Sequence, residues 1–231
     1  MSTRAKYFIG LTIATGMALV ASCLAGSGNF MNSTLYLSYC ALALLGSALK
    51  VRLPGVTGTM SVNFLFILIA TAVFTFSETI LLATMACVIQ CTIRTKRRPQ
   101  LVQVAFNVAV LAISAGLAYR VAHVLAGRTE AHLIVMLAFA SFLYFATNTF
   151  LVASVMYLVE RKPLIGVWQQ CYLWSFPYYL IGATVAALVV FTSRTVGWAT
   201  SLLILPLMYL VYLFYRTCVE RISEYLDARP A

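Results

Sequence analysis

One predicted helix carries neutral polar side chains inside an otherwise apolar segment, LVQVAFNVAVLAIS (101–114). Gln103, Asn107 and Ser114 follow one another at spacings of four and seven residues. On a helix that turns by about 100° per residue, the three side chains fall within about 40° of each other. Amides and hydroxyls both donate and accept hydrogen bonds. The stripe therefore suits either contacts between helices or recognition of a polar ligand.

Similar polar groups occur in four other apolar segments. Tyr144 and Asn148 share one helical face, while Asn63, Gln90 and Trp174 lie elsewhere. Two interpretations stay open. The amides form hydrogen bonds between helices, each contributing about 0.6 to 2 kcal/mol, or they line a shared pocket for a small polar or amphipathic ligand. The second interpretation predicts a ligand site formed by Asn63, Gln103, Asn107, Ser114, Tyr144, Asn148 and Trp174.

Catalytic motifs are missing from the sequence. Apart from Glu78, near the outer surface, no carboxylate lies in a predicted span, which argues against a proton relay or a cation pathway. There is no nucleophile–base pair, acidic metal cluster or phosphate-binding glycine motif. His123 and His132 flank a loop, and Cys87 and Cys91 are expected to be packing residues. We therefore expect no enzymatic activity, no cofactor and no metal.

Composition indicates whether these residues lie in a soluble protein or in a membrane protein. The 231 residues are 62% hydrophobic and 10% charged, whereas a soluble domain has about 25% charged residues. The net charge of +10 suggests nucleic-acid binding at first sight. However, the chain consists of repeated apolar stretches near the length of about 20 residues that crosses a bilayer. We expect a membrane protein whose partner is the lipid bilayer, with no nucleic acid.

The apolar stretches predict an all-α, polytopic transmembrane bundle over residues 1–215, followed by a short cytoplasmic amphipathic tail, 216–231. Short polar breaks divide the bundle into eight helical spans. The predicted spans are 7–25, 33–49, 59–76, 79–93, 101–126, 131–159, 171–192 and 198–215.

Basic residues predict the orientation of this bundle. With the N-terminus inside, the outer segments hold Arg120, Arg128 and Arg194, and the other thirteen of the sixteen Lys and Arg residues lie inside. This bias follows the positive-inside rule and places both termini in the cytoplasm. The strongest expected topology anchors are Arg94, Lys96, Arg97, Arg98, Arg161 and Lys162.

Two further segments matter for communication with the cytoplasm. KVRLPGVTGTMSVNF (50–64) is expected to be a simple inner turn, with an interfacial or re-entrant segment as the alternative. In the tail, spacings of four, three and four residues begin a heptad pattern. The tail is either an amphipathic extension or a signalling helix that forms a homodimer. The residues with this spacing are Tyr215, Val219, Ile222 and Leu226.

Five segments also carry a resemblance to a known family. They are LPGVTGTMSVNFLFILIA (53–70), RRPQLVQVAFNVAVLAIS (97–114), NTFLVASVMYLVERKPLIGVW (148–168), WSFPYYLIGA (174–183) and LPLMYLVYLFYR (205–216). Their order and spacing resemble the multi-span membrane sensor regions (MASE-like) that precede HD-GYP phosphodiesterase, GGDEF cyclase or histidine kinase domains in bacteria.

The resemblance implies a location in the bacterial inner membrane and sensing of a ligand or of the membrane state. It also implies cyclic di-GMP or phosphotransfer output, through an output domain that is separate or missing. We therefore expect a sensory or ligand-binding module that binds an unknown small ligand. Its further partner would be a cytoplasmic signalling protein or a second copy bound through the C-terminal helix. The alternative is a small-solute transporter or its substrate-capturing membrane subunit.

Overall fold

A computed structural model describes residues 2–26, 33–52, 59–93, 99–125, 130–161, 163–171, 173–196 and 204–227. Within these ranges the chain forms nine α-helices, a 3₁₀ turn and two short strands. The helices are α1 (Thr3–Ala25), α2 (Ser33–Ala48), α3 (Asn63–Val73), α4 (Phe76–Thr92), α5 (Leu101–Leu125), α6 (Glu130–Glu160), α7 (Leu164–Cys171), α8 (Phe176–Thr195) and α9 (Ile204–Asp227). The all-α fold class is thus confirmed.

Length and hydropathy place seven of the nine described α-helices in two groups. Four are long and apolar enough to cross a membrane: Thr3–Ala25, Leu101–Val124, Leu133–Glu160 and Phe176–Thr195. Ser33–Ala48, Asn63–Val73 and Phe76–Thr92 are apolar but shorter. Each of the eight predicted spans coincides mainly with one helix, but this overlap does not establish that every helix crosses the bilayer. Eight spans with both termini in the cytoplasm remain a prediction.

Helix α3 is the central element of the bundle. Every residue from Asn63 to Thr71 is buried, and α2, α4, α5, α6 and α8 all pack against it. Its eleven residues span only about 16 Å at 1.5 Å per residue, roughly half of a 30 Å hydrocarbon core. The predicted third span, 59–76, was too long because its first residues belong to a strand.

That strand belongs to an antiparallel pair. β1 (Lys50–Arg52) and β2 (Thr59–Ser61) pair so that Lys50 lies opposite Ser61 and Arg52 opposite Thr59. The turn expected for this segment falls on residues 53–58, outside the described residues, and the described residues on either side of it form the two strands. β-branched residues such as Val51 and Thr59 favour extended backbone. The pair connects α2 to α3.

Helices α3 and α4 form a hairpin with a capped turn. Thr75 precedes α4, and its hydroxyl accepts a hydrogen bond from the Glu78 backbone N–H at 3.3 Å. In return, the Glu78 carboxylate accepts from the Thr75 backbone N–H and hydroxyl, both at 2.8 Å. This capping box satisfies donors that the first turn of a helix leaves unpaired. Glu78 is thereby buried in a local structural role.

Glycines allow the closest approaches between helices. A Cβ atom on Gly16 would overlap Ala109 of α5, and one on Gly182 would overlap the Phe64 ring of α3. Small residues at such crossings let helix backbones come close together, which strengthens packing in a membrane. These contacts hold α1 against α5 and α8 against α3.

Helix α7 and the following 3₁₀ turn (Leu173–Ser175) separate α6 from α8. Arg161, directly after α6, adopts a left-handed backbone with φ of 56°, and α7 then packs back against α6. The predicted seventh span began at residue 171, whereas α8 begins at Phe176 with Pro177 in its first turn. Proline is tolerated there because its missing N–H has no intrahelical acceptor. The sequence prediction did not include α7.

One contact relates the N-terminus to the far end of α6. The Ser2 hydroxyl donates to the Leu158 carbonyl at 3.4 Å, so the start of α1 and the end of α6 lie at the same end of the bundle. This agrees with the predicted inner location of both segments, although the membrane sides themselves stay predicted. The predicted anchors Arg94, Lys96, Arg97, Arg98 and Lys162 lie outside the described residues.

Candidate functional site

A polar cluster joins the α3–α4 hairpin to strand β2 at the end opposite its turn. The Gln90 side-chain oxygen accepts hydrogen bonds from the Asn63 amide and from the Ser61 hydroxyl, both at 2.9 Å. Asn63 is the first residue of α3 and is buried, while Gln90 lies in the last turn of α4. We call Ser61, Asn63 and Gln90 the Gln90 cluster. One acceptor atom thus connects three consecutive elements of the chain.

Asn107 makes its contact with the next residue of α4. Its side-chain nitrogen lies 3.5 Å from the sulfur of Cys91, and Asn107 is half-buried on α5. A thiol sulfur is a weak acceptor, so this contact leaves most of the hydrogen-bonding capacity of the amide unused. The α4–α5 interface therefore holds an amide that is only weakly satisfied.

The other two members of the predicted stripe on α5 are used locally. Gln103 is exposed, and its side-chain oxygen accepts from the Gln100 backbone N–H at 3.2 Å. Ser114 is fully buried, and its hydroxyl donates to the Val110 carbonyl at 2.7 Å. Both bonds lie within the helix or at its start. Neither side chain contributes a hydrogen bond between helices.

Helix α6 contributes the remaining polar face. The Ser141 hydroxyl donates to the Tyr179 carbonyl of α8 at 2.8 Å, and the buried ring of Tyr144 lies 6.2 Å from that of Tyr179. Asn148 is half-buried, and its amide forms no hydrogen bond in the part of the chain that the structure describes. Trp174 lies in the 3₁₀ turn, and its side chain is outside the description.

The predicted ligand site is thus distributed over several local contacts. Among the described side chains, no hydrogen bond joins two of the seven predicted residues to each other. Asn63 forms its hydrogen bond with Gln90, and Asn107 contacts Cys91. A shared pocket between α3, α5 and α6 therefore stays a prediction.

Sequence reasoning missed two contributors. Ser61 was assigned to a connection, and its bond to Gln90, 29 residues away, has no signal in the local sequence. Trp168 was not among the predicted site residues, yet its indole N–H donates to the Thr149 hydroxyl at 3.0 Å. The short helix α7 that carries Trp168 has too few residues to produce a clear periodic pattern.

Strand β1 links the Gln90 cluster to the last helix. β1 pairs with β2, which carries Ser61, and β1 also packs against α9. Farther into the bundle, a Cβ atom on Gly46 of α2 would lie 2.7 Å from the Phe66 ring and 3.3 Å from the Met208 sulfur. Helices α2, α3 and α9 therefore meet closely at Gly46. Helix α9 thus approaches the α3–α4 hairpin at two places, through β1 and beside Gly46.

The described residues contain no group of three or more His, Cys, Asp or Glu side chains that could hold a metal ion. The chemistry of the region is that of neutral hydrogen-bond donors and acceptors. Such groups recognise polar atoms of a ligand or of another helix, and they reorganise without moving charge through the membrane.

Comparison with known proteins connects this arrangement to a family. Neither the curated proteins nor the solved structures gave a significant match to the chain. The sequence profile of the MASE9 family, in contrast, matches residues 39–216. This range begins within α2 and includes the strand pair, the hairpin, helices α5 to α8 and the first half of α9. The chain therefore belongs to the MASE9 family of membrane-associated sensory domains.

Proposed function

We propose that this protein is an integral membrane sensory module of bacterial signalling that binds a small ligand and transmits its state through α9. The family assignment supports a sensory role in a membrane. The observation that carries the finer proposal is the Gln90 cluster. It joins the central hairpin to β2, and the partner strand β1 packs against α9.

The proposed input is a change in the hydrogen bonds of the Gln90 cluster. A ligand that bonds to Asn63 or to Gln90 competes with the existing pair and weakens the link to Ser61. A two-state arrangement of this kind couples two sites only if the ligand binds the two states differently. Here the difference is whether the Gln90 oxygen is occupied by Ser61 or by the ligand.

The proposed ligand contacts extend from this cluster to the half-buried amides. Asn107 and Asn148 have unused hydrogen-bonding capacity and lie on α5 and α6, the helices that flank α3. The proposed set also includes four residues that either position the helices or contact the ligand: Gln103, Ser114, Tyr144 and Trp174. The ligand class that fits neutral amides in an apolar bundle is a small polar or amphipathic molecule.

The proposed output is a displacement of α9. In this proposal the protein has eight spans in the bacterial inner membrane with both termini in the cytoplasm, and it has no enzymatic activity of its own. The continuous helix from Ile204 to Asp227 supports transmission, since a single rigid helix carries motion along its length. The receiver is a cytoplasmic signalling partner in cyclic di-GMP or phosphotransfer signalling, or a second copy of the chain.

Amide hydrogen exchange of the full chain in nanodiscs tests the route to α9. We expect Gln90→Leu to raise exchange several-fold in residues 50–61 and in α9, because the β pair loses its bond to the hairpin. Thr92→Val is the matched control. Thr92 is exposed on the same helix, and its hydroxyl donates to the Val88 carbonyl of that helix. Faster exchange confined to α4 in Gln90→Leu would refute the proposed route.

A further inference from the structure

Helices α6 and α7 enclose a groove of about 330 Å³ on the surface of the bundle. Its walls are formed by Ala146, Thr147, Phe150, Leu151 and Trp168. Phe150 is 53% exposed, so the groove opens outward. Its volume lies at the lower end of the range of about 300 to 1,000 Å³ for sites that bind small molecules.

The wall formed by α7 is fixed to α6. The Trp168 indole N–H donates to the Thr149 hydroxyl at 3.0 Å, and the ring lies 6.2 Å from that of Phe145. The only N–H of the indole is therefore used within the protein, and the ring contributes an apolar surface to the groove. These two contacts hold the Trp168 ring in place, so the groove has a fixed wall on the α7 side.

The lining suits a hydrocarbon chain. Four of the five lining residues are apolar or aromatic, and none is charged. Thr147 supplies a hydroxyl, which forms no hydrogen bond within the described ranges of the chain. A polar solute would lose its hydration here with almost nothing to replace it, whereas an acyl chain that moves from the bilayer to an apolar wall has no hydration to lose.

Positive charge lies where a lipid headgroup would be. Arg161 is exposed directly after α6, and Lys162 follows it in the sequence. The Ser2–Leu158 contact brings the start of α1, which carries exposed Arg4, to the same end. From Arg161 to Phe150 is about 16 Å along the helix, close to the thickness of one hydrocarbon leaflet, about 15 Å. A lipid with its phosphate at Arg161 therefore reaches the groove with its tail.

We propose that this groove holds one acyl chain of an anionic phospholipid, whose phosphate pairs with Arg161. The lipid would bind as a specific component and not as an exchanging member of the surrounding bilayer. This site is separate from the Gln90 cluster, so the lipid proposal and the sensory proposal stand or fail independently.

Fluorescence quenching in vesicles tests the proposal with Trp168 as the reporter. The full chain with Trp174→Phe and Trp198→Phe retains Trp168 as its single tryptophan. It is reconstituted in equal mixtures of phosphatidylcholine and phosphatidylglycerol, with brominated chains on one lipid or on the other. We expect Trp168 to report about a fivefold preference for phosphatidylglycerol, as expected for one basic side chain near a headgroup.

Three variants separate the site from general lipid contact. Arg161→Gln should remove the preference, and Arg221→Gln should leave it unchanged, since Arg221 is an exposed residue beyond the last predicted span. Thr147→Phe should displace the lipid tail by filling the groove. Val135→Phe adds a ring at another exposed position of α6 and should have no effect.

Native mass spectrometry of the full chain with its natural tryptophans provides a second measurement. We expect phosphatidylglycerol to remain bound to the wild type and to Val135→Phe, and to be lost from Thr147→Phe. Equal quenching by the two lipids would overturn the proposal. Retention of phosphatidylglycerol in both Thr147→Phe and Arg161→Gln would overturn it as well.

Discussion

The two ends of the α3–α4 hairpin are held in different ways. At the turn, Thr75 and Glu78, three positions apart, form hydrogen bonds with each other. Two tyrosines also donate to backbone carbonyls of the turn. Tyr36 of α2 donates to Glu78 at 3.2 Å, and Tyr119 of α5 donates to Phe74 at 3.3 Å. At the open end, one oxygen of Gln90 accepts from residues 27 and 29 positions away.

This difference assigns distinct roles to the two ends. The turn is fixed by a charged carboxylate in a local capping box and by two further bonds, so it acts as an anchor. The open end depends on neutral side chains that share one acceptor, and neutral hydrogen bonds are about half as strong as charge-assisted ones. A change in hydrogen bonding therefore alters the open end while the turn stays in place.

The largest expected effect comes from the turn. Glu78→Ala removes both carboxylate bonds to Thr75 and leaves two donors of the half-buried Thr75 unpaired, which should lower the free energy of unfolding by about 2 to 3 kcal/mol. Glu78→Gln retains one acceptor and should cost less. Unfolding of the purified protein in mixed detergent micelles measures both. Equal losses in the two variants would show that the carboxylate charge, not the acceptor geometry, stabilises the turn.

A smaller effect is expected at the open end. Gln90→Leu leaves Ser61 and Asn63 without their acceptor, which should lower the free energy of unfolding by about 1 to 2 kcal/mol. In the double variant with Glu78→Ala, the two losses should add, since separate sites without shared partners behave independently. A clearly non-additive result would contradict the separation of the hairpin into an anchor and an adjustable end.

Removal of the half-buried amides should affect binding more than folding. Asn107→Leu and Asn148→Leu are expected to change stability by about 0.6 kcal/mol or less, because Asn107 has one weak contact. If these amides bind the proposed ligand, both variants insert normally but lose the response of α9 to it. The measurement is membrane insertion together with hydrogen exchange of α9 in extracts of the native cytoplasm and membrane. A loss of folding in both variants would favour the interpretation of the amides as helix-bonding residues.

The smallest effect is expected for Thr75→Ser. Serine retains the hydroxyl that accepts from Glu78 and donates to its carboxylate, and it is an equally good N-terminal cap. Unfolding should therefore differ from the wild type by only a few tenths of a kcal/mol. A loss comparable to that of Glu78→Ala would indicate that the threonine methyl group, through packing, stabilises the turn.

The turn and the open end also differ in how well sequence predicts them. The spacing of Thr75 and Glu78 is the sequence signature of a capping box, because both partners lie within one helical turn. The bond from Gln90 to Asn63 cannot be predicted in this way. It depends on how far α3 extends before the chain reverses, and the run from Phe64 to Phe74, apolar except for Thr71, contains no signal for that length.

The polar stripe on α5 shows a second limit. Helical periodicity correctly places Gln103, Asn107 and Ser114 on one face. It does not predict the surroundings of each residue along that face. Gln103 lies at the exposed start of the helix, Asn107 meets α4, and Ser114 lies deep in the packed interior. The positions of the long helices follow from apolar length, whereas the partners of individual amides depend on packing between distant segments.

The central position of α3 has a consequence for biogenesis. Helices α5, α6 and α8 surround α3, yet the ribosome synthesises them later. At about 5 to 20 residues per second, α3 waits on the order of ten seconds before the end of α8 has been made. During that interval its most polar residue, Asn63, would face lipid or the translocon. Pairing with Gln90 as soon as α4 emerges shields this amide, so the hairpin is suited to insert as one unit and to receive its neighbours afterwards.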